Sequence, residues 1–290
     1  MKTNVFLFTL IFTALLIINC PAQKPISNVC INENLLDFKV NERAGKRFGE
    51  KSDVSIASDA SGNSVISWTD SRNGDPDIYC QKINAAGDLE GQNILVNDDN
   101  KNIHQLSSEI AMLPSGEFII AWVDYRNLND SGYNFIYAQV FDQYLNKVGP
   151  NFKVNSDSTG TYCSAPSVTL TGKGQFIITW QDYNNGKNSL FAQIINSDGE
   201  PVGDNFVVKS SYSYGKPSIS SNTANTFIIS WIDTRVGPYS SPDVYAQLFS
   251  EDGSGTGSMF KVNSDVEGEY LMSTKLSMNA SGEFAISYVA

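Results

Sequence analysis

The chain has 290 residues, of which 41% are hydrophobic, 11% aromatic and 18% charged, and its formal net charge is -11. This apolar content suffices for a sizeable core, and the length allows one large or two ordinary domains. The acidic balance argues against nucleic acid or an anionic lipid surface as a partner, whereas neutral sugars, cations and basic proteins remain compatible with it.

The N-terminus combines a basic residue, Lys2, with an apolar run from residue 5 to residue 18. A run this short predicts a secretory signal peptide over residues 1–22, cleaved after Ala22, and falls short of a membrane span. Cleavage removes only Lys2 among the charged residues, so the net charge changes from -11 to -12. A lipid anchor at Cys20 is the alternative. We therefore expect a secreted or cell-surface protein with a linker over 23–35 and no membrane span.

An internal repeat organises the rest of the chain. Tryptophan recurs at positions 68, 122, 180 and 231, and Tyr288 takes the same place at the end. Four short elements recur with it, such as APSVTL, FIITW, VYAQLF and NFKVN, each rich in β-branched and aromatic residues and bounded by Gly, Asn, Asp and Ser. These features predict four strands in each repeat of about 55 residues.

The second strands (FIIAW, FIITW, FIISW) are nearly continuous apolar runs, which predicts burial on both faces. Repeated four-stranded units covered on both faces indicate an all-β fold, a β-propeller of antiparallel blades; an array of small β-sandwiches is the alternative. The propeller spans 36–290. Its expected parts are a closing outer strand at 38–44, blades over 53–98, 107–157, 164–211 and 216–265, and a partial fifth blade over 274–290. Because strands three and four of the fifth blade are absent at this end, we expect a fragment of a longer ring.

The repeated patterns F-x-V-N, G-x-F-I-I-x-W-x-D-x-R and Y-A-Q resemble repeats of secreted bacterial β-propeller proteins, whose activity is usually unassigned. The resemblance covers residues 36–290. Those proteins are related in shape to sialidase-type propellers. The sialidase aspartate box is met only loosely, because Ser58, Asp59 and Gly62 precede Trp68 at a longer spacing.

Loops at one end of the ring are the longest and least uniform, and they contain most of the tyrosines. Exposed tyrosine beside Asp and Asn suits recognition of sugars or peptides, although some tyrosines could instead pack between blades. The candidate ligand-binding residues on this loop face are Arg72, Asp75, Asp77, Tyr125, Arg126, Tyr133, Tyr183, Arg235 and Tyr239.

The W-x-D-x-R pattern has two interpretations. Arg72, Arg126 and Arg235 could form a cluster that binds a substrate carboxylate, as the sialidase resemblance implies. Alternatively, each Asp bonds its own Arg and stabilises its blade. Repetition favours the second interpretation, because a catalytic centre breaks the symmetry of a ring.

Neither a metal nor a catalytic set emerges from the sequence. The loop DSRNGDPD fails the EF-hand spacing, so we expect no cofactor, with calcium as a remote alternative. The single histidine, His104, has no placed partners for nucleophilic catalysis. Glu109, Glu267 and Glu269 are candidate catalytic acids by their location alone.

The leading hypothesis is a non-enzymatic binding scaffold, monomeric, with carbohydrate or protein as its partner. The alternative is a fragment of a glycan-processing, sialidase-like hydrolase, and a purely structural surface array is the third hypothesis. A hydrolase requires non-repeated acids that converge in the ring, whereas a scaffold does not.

Overall fold

A computed structural model describes residues 3–11, 14–18, 40, 51–99, 103–128, 133–156, 162–184, 186–210, 213–234, 242–264 and 271–289. Every element named in this part of the chain is a β-strand. In chain order the strands are β1 (Thr3–Ile11), β2 (Ala14–Ile18), β3 (Lys51–Ser58), β4 (Ser64–Asp70), β5 (Asp77–Ile83), β6 (Leu89–Leu95), β7 (Gln105–Met112), β8 (Phe118–Asp124), β9 (Phe135–Phe141), β10 (Lys147–Lys153), β11 (Tyr162–Leu170), β12 (Phe176–Asn184), β13 (Lys187–Ile195), β14 (Pro201–Lys209), β15 (Ser213–Ser221), β16 (Thr226–Asp233), β17 (Asp243–Ser250), β18 (Gly255–Lys261), β19 (Ser273–Met278) and β20 (Phe284–Val289).

The strands form five antiparallel sheets of four strands each. Blades 1 to 4 are consecutive: β3–β6, β7–β10, β11–β14 and β15–β18. The first strands of successive blades pack on one another (β3 on β7, β7 on β11, β11 on β15, β15 on β19) and therefore lie innermost. The predicted all-β propeller of four-stranded blades is confirmed.

The fifth sheet differs from the expected half-blade. Its order is β19-β20-β1-β2, so strands from the N-terminal apolar run occupy the third and fourth positions. The physical reason is that β20 would otherwise present an unpaired edge, and an apolar extended segment pairs with such an edge readily. The signal peptide over 1–22 stays a prediction, and its cleavage would remove both of these strands.

The core lies between the blades. The second strands of blades 2 to 4 are buried over most of their length, and β8 is buried throughout, from Phe118 to Asp124. Trp122, Trp180 and Trp231 are among the largest fully buried side chains. In the described residues no helix is long and apolar enough to cross a membrane.

A Gln–Asn pair recurs in blades 1 to 3 and joins each of them to the segment before it. In blades 1 to 4 the third strand carries a Gln whose Nε2 donates to carbonyls of the fourth strand, as Gln139 does to Gly149 O at 3.1 Å. The Gln Oε1 accepts from an Asn of the fourth strand, and Asn151 Nδ2 donates to Gln139 Oε1 at 2.6 Å. The same amide group donates to Val96 O of blade 1 at 3.2 Å.

The N-terminal segment supplies the matching acceptor for blade 1. Asn93 Nδ2 donates to Val40 O at 3.2 Å, as Asn205 Nδ2 donates to Val154 O at 3.2 Å in blade 3. Val40 thus lies where an outer strand of a preceding blade would lie. The other residues of the predicted closing strand at 38–44 are outside the described part of the chain, so that strand stays a prediction.

Blade 4 has Met259 where blades 1 to 3 have this Asn. We expect Met259→Asn to stabilise the protein by about 1 kcal/mol, because the new amide can bond Gln247 Oε1 and Val208 O. Urea denaturation measures the change, with Met259→Ala as the matched control that removes the side chain without adding a donor. Equal stability of the two variants would contradict the proposed role of the pair.

Candidate functional site

The W-x-D-x-R residues of blade 1 form a closed polar cluster. Trp68 Nε1 donates to Asp70 Oδ2 at 3.0 Å, and Arg72 donates from its backbone N to Asp70 Oδ1 at 2.9 Å and from Nη2 to Oδ2 at 2.6 Å. The guanidinium lies 4.1 Å above the centre of the Tyr79 ring. Burial alone would raise the pKa of Asp70, but the bonds from Arg72 and Trp68 outweigh it and lower the pKa. We call this arrangement the Trp–Asp–Arg clamp.

Blade 2 repeats the clamp. Trp122 Nε1 and Arg126 Nη2 each donate to Asp124 Oδ2 at 2.8 Å, and Arg126 stacks at 4.2 Å on Tyr137. Arg126 Nη1 also bonds Asp98 Oδ1 at 2.9 Å. Burial alone would lower the pKa of Arg126, but Asp124 and Asp98 outweigh it and raise the pKa. Of the three candidate arginines, the two in the described residues, Arg72 and Arg126, are therefore bound to acids of the chain, and neither is open to a substrate carboxylate.

The candidates Asp75 and Asp77 lie at the junction of blades 1 and 2. His104 Nε2 is 3.6 Å from Asp75 Oδ1, and Asp77 accepts from Asn97 Nδ2 at 3.0 Å. Burial raises the pKa of Asp77. No group of three or more His, Cys, Asp or Glu residues that could hold a metal ion occurs in the described part of the chain.

The tyrosine candidates divide between two places. Tyr125 is partly buried, packs against the core cluster between blades 2 and 3, and meets the His104 ring edge-on at 6.4 Å. Tyr133 meets Tyr162 edge-on at 5.5 Å, and Tyr162 pairs across the sheet with Tyr183. The structure thus brings Tyr133 and Tyr183 together through Tyr162. Arg235 and Tyr239 lie outside the described residues.

Blade 3 departs from the clamp. Its second and third strands are joined by a tight hairpin in which Asn184 pairs with Lys187, so residue 184 continues the ladder instead of turning back over Asp182. Asn184 also replaces the arginine. Asp182 is 5% exposed; its Oδ2 is 3.9 Å from Cys163 Sγ, and its Oδ1 has no hydrogen-bond partner in the described part of the chain. The Nε1 of Trp180 likewise has no partner there.

The missing clamp changes the acidity of Asp182. Burial raises its pKa to about 6, and the weak bond from Cys163 only partly offsets this. Asp182 is therefore a buried carboxyl that exchanges a proton near neutral pH. Groups with such shifted pKa values are characteristic of catalytic sites.

One polar side chain of blade 2 bonds the cross-strand neighbour of this acid. Asn134 Nδ2 donates to Cys163 O at 2.7 Å, while its Oδ1 is buried without a partner among the described residues. Cys163 pairs with Asp182 across β11 and β12. We define the blade-3 site as Asn134, Tyr162, Cys163, Trp180, Asp182 and Tyr183. Cys163, Trp180 and Asp182 point to one face of the sheet, and Tyr162 and Tyr183 point to the other. The unclamped acid can donate a proton, and the exposed rings can contact a sugar.

An acid that does not recur in the repeat lies on an inner strand. Glu109 of β7 forms an ion pair with Lys216 of β15, so the pair links blade 2 to blade 4. Ser55 Oγ of blade 1 donates to Glu109 Oε2 at 3.2 Å. Glu267 and Glu269, the other acids considered by location, lie outside the described residues.

Sequence reasoning grouped Asp182 with the three other repeated acids and so missed it as a candidate. The available signals were Asn184 in place of arginine and the short NNGKN loop. Asn134 carried no such signal, because its proximity to Cys163 depends on the packing of blade 2 against blade 3, and the position of Cys163 opposite Asp182 depends on the register of β11 and β12.

Solved structures share this architecture. A GH93 α-L-arabinofuranosidase of Fusarium graminearum with arabinobiose aligns over 78% of this chain and 70% of its own, with 14% identity and a TM-score of 0.55. The Fusarium graminearum arabinofuranosidase with an iminosugar inhibitor covers 81% and 74%, with 13% identity and a TM-score of 0.56. An α-L-arabinanase of Penicillium chrysogenum with arabinobiose covers 80% and 74%, with 13% identity and a TM-score of 0.52. No protein-family model and no curated protein sequence matches the chain.

At this identity the likeness establishes the fold, a β-propeller. The expectation of a non-enzymatic scaffold is wrong as the leading hypothesis, because the similar solved propellers are glycoside hydrolases. They agree better with the alternative, a glycan-processing propeller. Secretion and a cell-surface location stay predictions.

Proposed function

We propose that this chain is a glycan-processing β-propeller that hydrolyses glycosidic bonds, with Asp182 as the proton donor. One observation carries the proposal: Asp70 and Asp124 each accept bonds from a clamp arginine and a backbone N–H, whereas Asp182 has neither among the described residues. It is buried and its pKa is raised to about 6. The similar hydrolases support the same activity class.

The chemistry needs two carboxyl groups with different protonation. Protonated Asp182 gives its proton to the glycosidic oxygen as the bond to the anomeric carbon breaks. Water supplies the hydroxyl group to that carbon, and its remaining proton restores the acid. The second carboxylate assists the attack of water. Glu109 of the inner strands is already paired with Lys216 and Ser55, so we do not assign it to this role.

We propose a neutral glycan as the substrate. Recognition of a sialic acid would need arginines that can bind its carboxylate, whereas Arg72 and Arg126 are held by Asp70 and Asp124. Arabinosides are the first substrates to test, since the similar propellers act on them by name. The apolar N-terminal run supports our further proposal that the chain acts in a secreted or cell-surface setting.

The test uses Asn184→Arg, which introduces the missing arginine on the same strand face as Asp182, since residues i and i+2 share a face. We expect the guanidinium to lower the pKa of Asp182, so kcat/KM for arabino-oligosaccharides falls at least about 10-fold at pH 6–7 and the decline in activity moves to lower pH. Initial rates of sugar release measured from pH 4 to pH 8 give both quantities.

Asn184→Gln is the matched control, because it adds length on the same face without charge. It is expected to keep the wild-type pH profile. If Asn184→Arg hydrolyses arabino-oligosaccharides with an unshifted profile, Asp182 is not the proton donor. If the wild-type chain cleaves no neutral glycan in a panel of plant polysaccharides, the proposed function fails.

A further inference from the structure

Two tyrosines of blade 3 are unusually exposed for aromatic residues in paired strands. Tyr162 is 48% exposed and Tyr183 is 46% exposed, and they face each other in the register of β11 and β12. The large aromatic residues of the same sheet, such as Trp180 and Phe176, are buried. Apolar surface left open within a regular sheet indicates a contact that the chain itself does not provide.

Tyr133 of blade 2 extends this surface across the blade junction. Its ring meets Tyr162 edge-on, with centroids 5.5 Å apart and an interplanar angle of 73°. Asn134 forms an isolated bridge to Tyr162, which holds the two segments together. The three rings therefore make one continuous aromatic surface contributed by two blades.

The described residues beside the rings include an amide. Asn188 pairs with Tyr183 across the hairpin, so the two side chains share one face of the sheet. Amide groups bind hydroxyls well, whereas a charged ligand would need a charged partner beside the rings. The charged group of the hairpin, Lys187, lies opposite Asn184 at its tip. The described groups beside the tyrosine rings therefore fit a neutral, hydroxylated ligand.

We infer that Tyr133, Tyr162 and Tyr183 form a stacking platform for the rings of a neutral oligosaccharide, at the end of blade 3 that carries Asp182 but on the opposite face of the sheet. The apolar faces of sugar rings cover the tyrosines, and the sugar hydroxyls bond the tyrosine hydroxyls and the Asn188 amide. The inference rests on the proposed function for its ligand class and adds the residues that hold the substrate.

The test measures binding without turnover. Arabinobiose, xylobiose and digalacturonic acid are titrated by calorimetry into the full chain carrying Asp182→Asn. We expect the neutral disaccharides to bind, and we expect Tyr162→Ala and Tyr183→Ala each to weaken that binding about 10-fold through loss of ring contact. Tyr162→Phe should keep most of the affinity, because stacking survives the loss of the hydroxyl.

Tyr144→Ala is the matched control. Tyr144 is 73% exposed and lies in the turn between β9 and β10, at the opposite end of the blade. The Tyr144→Ala substitution should leave the binding of the neutral disaccharides unchanged. Circular dichroism of every variant checks the fold.

Several outcomes overturn the platform: no binding of either neutral disaccharide, equal affinity after Tyr162→Ala and Tyr183→Ala, or preference for digalacturonic acid. The outcomes that refute the platform differ from those that refute the proposed function. Wild-type hydrolysis with undiminished binding by the tyrosine variants refutes only the platform. Binding lost in those variants while the wild-type chain hydrolyses nothing refutes only the hydrolase proposal.

Discussion

Asp182→Asn is expected to lower kcat/KM for arabino-oligosaccharides by about 10²–10⁴-fold, the usual contribution of a general acid. The amide keeps the shape of the side chain but has no acidic proton to give to the leaving oxygen. In the wild-type chain burial raises the pKa of Asp182 to about 6, so activity should fall as the pH rises through that value. Initial rates from pH 4 to pH 8 measure both effects.

Asp198→Asn is the control for this prediction. Asp198 is an exposed acid in the turn between β13 and β14, at the other end of the same blade. The Asp198→Asn variant should retain wild-type rates of sugar release. Residual activity of Asp182→Asn within a factor of three of wild type would show that another group donates the proton.

Asp124→Ala is expected to lower the free energy of unfolding by about 3–5 kcal/mol, the usual cost of removing one partner of a buried ion pair. Its carboxylate is fully buried and accepts bonds from Trp122 Nε1, Arg126 N and Arg126 Nη2. The substitution leaves the Arg126 cation, 18% exposed, with Asp98 as its remaining acidic partner. Urea denaturation followed by tryptophan fluorescence measures the loss.

Asp182→Asn is the comparison in blade 3, where the clamp is absent. The pKa of Asp182 is raised in the folded chain, so its ionisation destabilises the fold above about pH 6 and costs nothing below its unfolded value. We therefore expect this variant to be more stable than wild type at pH 7, with the advantage shrinking as the pH falls to 4. Similar large losses for both aspartates would contradict the distinction between clamped and unclamped blades.

The sequence alone predicted much of the fold because its determinants are local. Repeated tryptophans, apolar second strands and Gly-rich turns specify four-stranded blades through short-range patterns. Repetition likewise indicated that Asp70 and Arg72 are architecture, and the bonds in blades 1 and 2 show that arrangement. Local patterns could not predict which strands complete the fifth blade, because its last two strands come from the opposite end of the chain.

The candidate site was decided by tertiary structure. Asn134 reaches Asp182 through Cys163, and Glu109 meets a lysine 107 residues away, so neither contact follows from sequence spacing. The sequence by itself determined the blade, its Asp and the missing arginine at Asn184. Only the packing of blade 2 on blade 3 decided that this Asp is buried without a partner, because desolvation depends on every neighbour that excludes water and not on the residues adjacent in the chain.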